Sequence, residues 1–151
     1  MILIAHRGLT NGPDPELENH PAKIINSLRS GFDCEVDVWM VDSVLYLGHD
    51  APTYKINEDF LNHPGLWIHA KNLEALNYLT TTKLNYFWHQ TDDYVITSHG
   101  HIWAYPGKPL TDRSVCVMPE WADQKLENLD KNCFGICSDY VYKISEQNFK
   151  N

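Results

Sequence analysis

Glu35 and Asp37 stand two residues apart in Cys34-Glu35-Val36-Asp37-Val38, where apolar and acidic side chains alternate. On a strand, that spacing puts both carboxylates on one face and Cys34, Val36 and Val38 on the other. Two negative charges so close require a cation between them, or a proton on one of them. A hard divalent ion such as Mg²⁺ or Ca²⁺ suits a pair of carboxylates; taken alone, the pair also suits a solvated strand face. His69 and Lys71 repeat the two-residue spacing further along. His6-Arg7 and His49-Asp50 each follow a short apolar run. Two imidazoles facing one site can serve as general base and general acid, because imidazole titrates near neutral pH. Arg7 and Lys71 carry the fixed positive charge that an anionic phosphoryl group requires. Singly, each histidine also suits a structural hydrogen bond.

The elements that must position these residues are short. Met1–Ala5 reads as a buried strand, Thr10–Pro15 as a loop, and Pro21–Ser30 as a helix with Ala22, Ile25 and Leu28 on one face and Gly31 as its stop. Cys34–Val38 and Val44–Leu47 read as strands paired through Asp42-Ser43. Leu66–Ala70 is a further strand. A helix over Leu73–Thr81 follows it, with Asn72 as N-cap. Tyr86–His89 is strand-like. Tyr94–Thr97 and Ile102–Tyr105 lie too close for a parallel crossover and so predict a hairpin, with His99-Gly100-His101 at its tip. Val115–Met118 and Phe134–Cys137 are strands, Ala122–Leu129 a helix, and the residues after Ile144 a frayed tail. Alternating strands and helices predict an α/β domain with a mainly parallel sheet, whose chemistry sits beyond the carboxyl ends of the strands. His6, Glu35, Asp37, His49, His69, His89, Glu120 and Asp139 all fall at such ends.

Composition narrows the function classes. The 151 residues predict one domain, without repeats or linkers. A net charge of -8 repels phosphate backbones and argues against nucleic-acid binding. No apolar run approaches the roughly 20 residues that span a bilayer, so no stable membrane insertion is expected. No signal-peptide pattern opens the chain. The four cysteines form no C-x-x-C pair and suit buried free thiols in a reducing compartment, which makes the expected location cytoplasmic. Trp88, Trp103, Tyr105 and Trp121 lie near the expected rim, as core or as an aromatic wall for a head group.

Ile4-Ala5-His6-Arg7-Gly8, Glu18-Asn19, Glu35-Val36-Asp37-Val38 and Gly48-His49-Asp50, in this order and spacing, resemble the glycerophosphodiester phosphodiesterase family of the phospholipase C-like phosphodiesterases. Lys71 matches the lysine that closes that family's third-strand motif, and Phe134–Asp139 is similar to its last strand. The resemblance implies a (β/α)8-type barrel and hydrolysis of a small-molecule phosphodiester to a phosphomonoester and an alcohol. It implies His6 and His49 as the acid–base pair, Glu35 and Asp37 as metal ligands, Arg7 and Lys71 as phosphate holders, and Glu18 beside the metal or a substrate hydroxyl. Glu120 is a further expected contact. The family usually carries a carboxylate where this chain has His69. As a third ligand His69 shifts preference from Mg²⁺ or Ca²⁺ toward Mn²⁺ or Zn²⁺. Leu17 replaces the family's proline. A full barrel takes roughly 250 residues, so a minimal or irregular TIM-like barrel is expected, with several outer helices reduced or missing. The Tyr94–Tyr105 hairpin or a partner subunit would patch it, the latter making a homo-oligomer. The alternatives are a lysophospholipase D- or sphingomyelinase D-like lipid phosphodiesterase, and a degenerate, non-catalytic binding module.

Overall fold

Ile2–Ala5, apolar throughout, forms β1 at the middle of the sheet, where both faces of a parallel strand are covered. The computed structural model describes residues 1–122, 124–126, 129 and 132–148. After β1 come α1 (Pro21–Arg29), β2 (Asp33–Val41), β3 (Val44–Leu47), β4 (Tyr54–Ile56), α2 (Glu58–Leu61), β5 (Leu66–Ala70) and α3 (Leu73–Thr80). Then follow β6 (Tyr86–Phe87), β7 (Tyr94–Ile96), β8 (Ile102–Ala104), β9 (Ser114–Val117), β10 (Gly135–Ser138) and α4 (Val141–Asn148). Two 3₁₀ turns, His6–Gly8 and Pro119–Ala122, continue β1 and β9.

Parallel pairing runs β6-β5-β2-β1-β10-β9-β8. β2 is the hub. It pairs with β1 at its start, with β5 along Cys34–Val38, and antiparallel with β3 along Val38–Val41. β4 adds to β3 and β7 to β8, both antiparallel. The mixed sheet curls into a half-barrel. Its margins are linked where the Ser98 N–H donates to the Tyr86 carbonyl at 2.8 Å and the Tyr86 N–H donates to Ser98 Oγ at 2.9 Å. Ile4, Trp67, Phe87, Trp103, Val115, Val117 and Cys137 fill the inner face. Cys34, Val36, Val38 and Ile68 pack outward with Ile24, Ala75 and Leu79 of α1 and α3.

This corrects the expected minimal or irregular (β/α)8-type, TIM-like barrel: the sheet is mixed and curls only half-way to closure. Only four short helices accompany the sheet among the described residues. The chain is too short to follow every strand with a helix: residues 88–93 and 105–113 cross between strands without one. The helix expected over Ala122–Leu129 runs through residues outside the described set. Of the tail expected after Ile144, residues 145–148 continue α4, which is anchored by buried Val141 and Ile144, and residues 149–151 lie outside the described set. In α1 the buried positions are Ile24 and Ser27 rather than Ala22, because the Ser27 hydroxyl donates to the Gly8 carbonyl at 2.7 Å. The pattern did not predict β4 or α2. The latter is announced by Asn57, whose side chain accepts from the Phe60 N–H at 3.0 Å. All four cysteines are buried, as expected, and Cys34 and Cys137 are free thiols. No helix among the described residues is long and apolar enough to cross a membrane.

The β2–β3 hairpin turns through Asp42 (φ 50°) and Ser43 (φ 62°), the left-handed pair of a two-residue hairpin. β3 then delivers Gly48 and His49 beside Asp37. The Gly48 N–H donates to the Asp37 carbonyl at 3.2 Å, and Trp39 Nε1–H donates to the Gly48 carbonyl at 2.7 Å. Gly48 has φ 154°, and a Cβ there would fall on the carbonyl oxygen of Ala51. Gly48→Ala is therefore expected to cost about 1–3 kcal/mol in urea unfolding and to displace His49, read as a shifted His49 ring resonance in NMR spectra.

Candidate active site

The carboxyl ends of β1, β2, β3, β5, β6, β8 and β9 converge on one cavity of about 450 Å³. His6, Arg7, Glu35, Asp37, His49, His69 and Lys71 all line it. Its construction starts where β1 passes into its 3₁₀ turn. Arg7, at φ 52°, directs its N–H to Glu35 Oε2 at 3.2 Å. Its guanidinium donates from Nη1 to Glu18 Oε2 at 2.8 Å and lies with Nε 3.2 Å from Asp37 Oδ2. Glu18 is thus a holder of Arg7. His6 is buried, with Nδ1 2.8 Å from Asp139 Oδ1, which follows the neighbouring strand β10. Glu120 does not line the cavity. Its Oε1 accepts from Ser138 Oγ at 2.8 Å and from the Asp139 N–H at 3.0 Å, so it fixes the turn that carries Asp139. His49 stands at the rim with Nδ1 2.7 Å from Asp50 Oδ1.

Asp37 sits at the centre. Asn19, fully buried with φ 58°, clamps it: Nδ2–H donates to Asp37 Oδ2 at 2.8 Å, while Oδ1 accepts the Asp37 N–H at 2.9 Å. Asp37 Oδ1 lies 3.1 Å from His69 Nδ1 and 3.7 Å from Lys71 Nζ. His69 Nδ1 is also 3.8 Å from Glu35 Oε1. Its other nitrogen, Nε2, is 2.9 Å from the His89 carbonyl, which can only accept, so Nε2 carries hydrogen. In neutral imidazole the Nδ1 lone pair then faces two carboxylates, an arrangement that requires either a proton or a cation between them. A backbone carbonyl on the far nitrogen is how metal-binding histidines are commonly oriented. Glu35, Asp37 and His69 offer ligand atoms within 4.8 Å of one another, the one such cluster among the described residues. The donor set fits a divalent ion.

Electrostatics separate the two acids. Burial, then the neighbouring Asp37 charge, raises the Glu35 pKa, only partly offset by His6, His69 and Arg7. Asp37 is equally buried, yet the His69 hydrogen bond and the charges of His69, Arg7 and Lys71 overcome burial and hold it well below the usual carboxylate range. Burial alone would lower His6; the Asp139 bond and the Glu35 charge reverse the sign and raise it. Arg7 is raised against its burial by Asp37 and Glu35.

Trp103, Tyr105 and Trp121 form the apolar side of the cavity, and Trp121 meets the His6 ring edge-on at 5.9 Å; Trp88 is not part of it. His99 and His101 lie at the β7–β8 turn, where His99 Nε2–H donates to the Lys83 carbonyl at 2.9 Å. Asn19 received no role from the sequence, although its place after Glu18 in a shared motif was a usable signal. Asp139, placed by the sequence only at a strand end, reaches the site through its bond to His6. Fold and cavity thus define an α/β half-barrel with a candidate divalent-metal centre at its carboxyl mouth. No family model, curated protein or solved structure matches the chain.

The raised Glu35 pKa has a stability consequence. Without metal, ionised Glu35 costs folding free energy. The cost is absent below the unfolded value near roughly pH 4 and grows as pH rises toward the raised folded value. Glu35→Gln is expected to raise the melting temperature at pH 7 in EDTA, with the gain fading as pH falls to about 4, and to weaken divalent-ion binding in calorimetry.

Proposed function

We propose that this protein is a metal-dependent phosphodiester hydrolase acting on a glycerophosphodiester-like substrate, the chemistry of the family its motifs resemble. One observation carries the reading: two imidazoles, a guanidinium and an ammonium surround the Glu35–Asp37–His69 cluster in a single cavity. Displacement at phosphorus needs a base, an acid and cationic neutralisation of the phosphoryl oxygens, and little else from the protein. A divalent ion held by Glu35, Asp37 and His69 supplies additional fixed positive charge for a phosphoryl oxygen.

His6 suits the base, because Asp139 behind Nδ1 stabilises the imidazolium formed when a substrate hydroxyl gives up its proton. His49, at the more open rim, suits the acid that protonates the departing alcohol. Arg7 and Lys71 hold phosphoryl oxygens, with Glu18 steadying Arg7. Attack by a neighbouring substrate hydroxyl gives a cyclic phosphate. Water then opens it with the roles of the two imidazoles reversed. The Trp103–Tyr105–Trp121 wall receives the alcohol part.

The test is turnover of a panel of phosphodiesters, including glycerophosphocholine and its lysolipid counterpart, with Mg²⁺, Ca²⁺, Mn²⁺ and Zn²⁺ supplied in turn. The expected result is ion-dependent hydrolysis of the water-soluble diester. His6→Ala and His49→Ala are each expected to lower kcat by about 10²–10⁴-fold, with unchanged circular dichroism and retained metal binding. Near-wild-type turnover in either variant overturns the assigned roles, and no turnover of any diester with any of the four ions overturns the activity.

A further inference from the structure

The opposite mouth of the half-barrel holds a second cavity, of about 370 Å³. It is lined by residues that precede or begin strands: Asp33 of β2, Trp67 of β5, Asn85 before β6, His101 before β8 and Phe134 before β10. None belongs to the site above. The His101 ring stacks on Phe134 at 4.0 Å and lies 5.3 Å from the ring of Trp67, so one wall is aromatic.

Two buried polar atoms here lack a hydrogen-bond partner, and one carboxylate lacks a cation. Asp33 Oδ2 accepts from Trp67 Nε1–H at 2.9 Å, and Asp33 makes no ion pair with any cation among the described residues. Its Oδ1 lies over Gly65, where a Cβ would approach to 2.7 Å; glycine at φ 87° is what admits the carboxylate. Asn85 Oδ1 and His101 Nδ1 are buried without any hydrogen-bond partner. His101 is pushed toward its neutral form, by burial first and then by Arg113 and His99, which leaves one ring nitrogen able to accept. Lys83 lines the rim but is exposed and makes no pair with Asp33.

A half-buried carboxylate, two orphaned polar atoms and an aromatic wall in a space of ligand size match one class of molecule. We propose that this cavity binds a small organic cation, a primary amine or guanidinium compound, paired to Asp33 and laid against Trp67, His101 and Phe134. Such a cation supplies several N–H donors in one head group and is attracted by ring faces. The site is independent of the phosphodiesterase reading, because it shares no residue with that cavity.

The probe is agmatine, with putrescine as a second amine and 1,4-butanediol as the uncharged control, titrated by calorimetry and by ¹H–¹⁵N NMR. Saturable agmatine or putrescine binding is expected, with the Trp67 indole N–H resonance moving and those of Trp39 and Trp121 staying still. Asp33→Asn, which keeps an acceptor for Trp67, is expected to weaken binding about tenfold or more, while Glu35→Gln leaves it unchanged. Absence of saturable binding, equal binding of butanediol, or loss of binding in Glu35→Gln overturns the proposal. The wild-type indole shifts keep the test decisive should Asp33→Asn fail to fold.

Discussion

Asp37 is a carboxylate with almost no water around it, and most of the cavity is organised by what replaces that water. An ionised acid in such a place is tolerated only when donors and cations surround it. Asn19, Arg7, His69 and Lys71 do so from three separate stretches of chain. Each of these contacts also fixes something else. Asn19 closes the loop that follows Arg7, bonding it through its own N–H to the Arg7 carbonyl at 2.9 Å. Lys71 extends the β5–β2 pairing through its N–H to the Val38 carbonyl at 2.9 Å. Satisfying one buried charge therefore brings the ends of β1, β2 and β5 into a single geometry.

Glu35 shows the converse. Its neighbours do not fully compensate it, and its raised pKa records the deficit. Sites that bind cations commonly keep such uncompensated charge, because the ligand removes a cost that folding alone had to carry. The same unequal treatment of two acids on one strand recurs at the other mouth, where Asp33 has one indole donor and no cation among the described residues. Three acids at alternate positions of β2 thus meet three environments, set by which neighbouring strand ends carry nitrogen donors.

The charged half of the candidate site was legible because strand geometry is strict. A two-residue spacing puts Glu35 with Asp37 and His69 with Lys71 wherever the strands lie, and parallel register then sets Asp37 opposite His69. The Asn72 cap and the β7–β8 hairpin follow from equally local chemistry. The architecture was not legible in the same way. The family resemblance implied a (β/α)8-type barrel in minimal or irregular form, whereas the number of helices depends on how many residues remain between strands. The α4 helix was missed because its amphipathic run is short and polar, and is held by burial of Val141 and Ile144 rather than by intrinsic propensity. Asn19 escaped because its role depends on a positive φ and a contact across 18 residues. Glu120 turns to Ser138 and the Asp139 N–H, a direction that position at a strand end does not fix.

The missing helices are not spread evenly, and their distribution bears on how a chain this short holds a charged site. α1 follows β1, α3 follows β5 and α4 follows β10, the strands that end in His6–Arg7, His69–Lys71 and Asp139. Those helices pack on the outer face behind Cys34, Val36, Val38 and Ile68. The unbraced strand β8, paired with β7, brings Trp103 and Tyr105 to the cavity as an aromatic wall that tolerates looser placement, and Ile96 of β7 is left exposed. Charge–charge geometry at 3 Å demands more rigidity than an aromatic wall does, since Coulomb energy in a poorly solvated pocket changes steeply with distance. A half-barrel that keeps its helices behind its ionisable strand ends retains the part of a full barrel on which such a cavity depends.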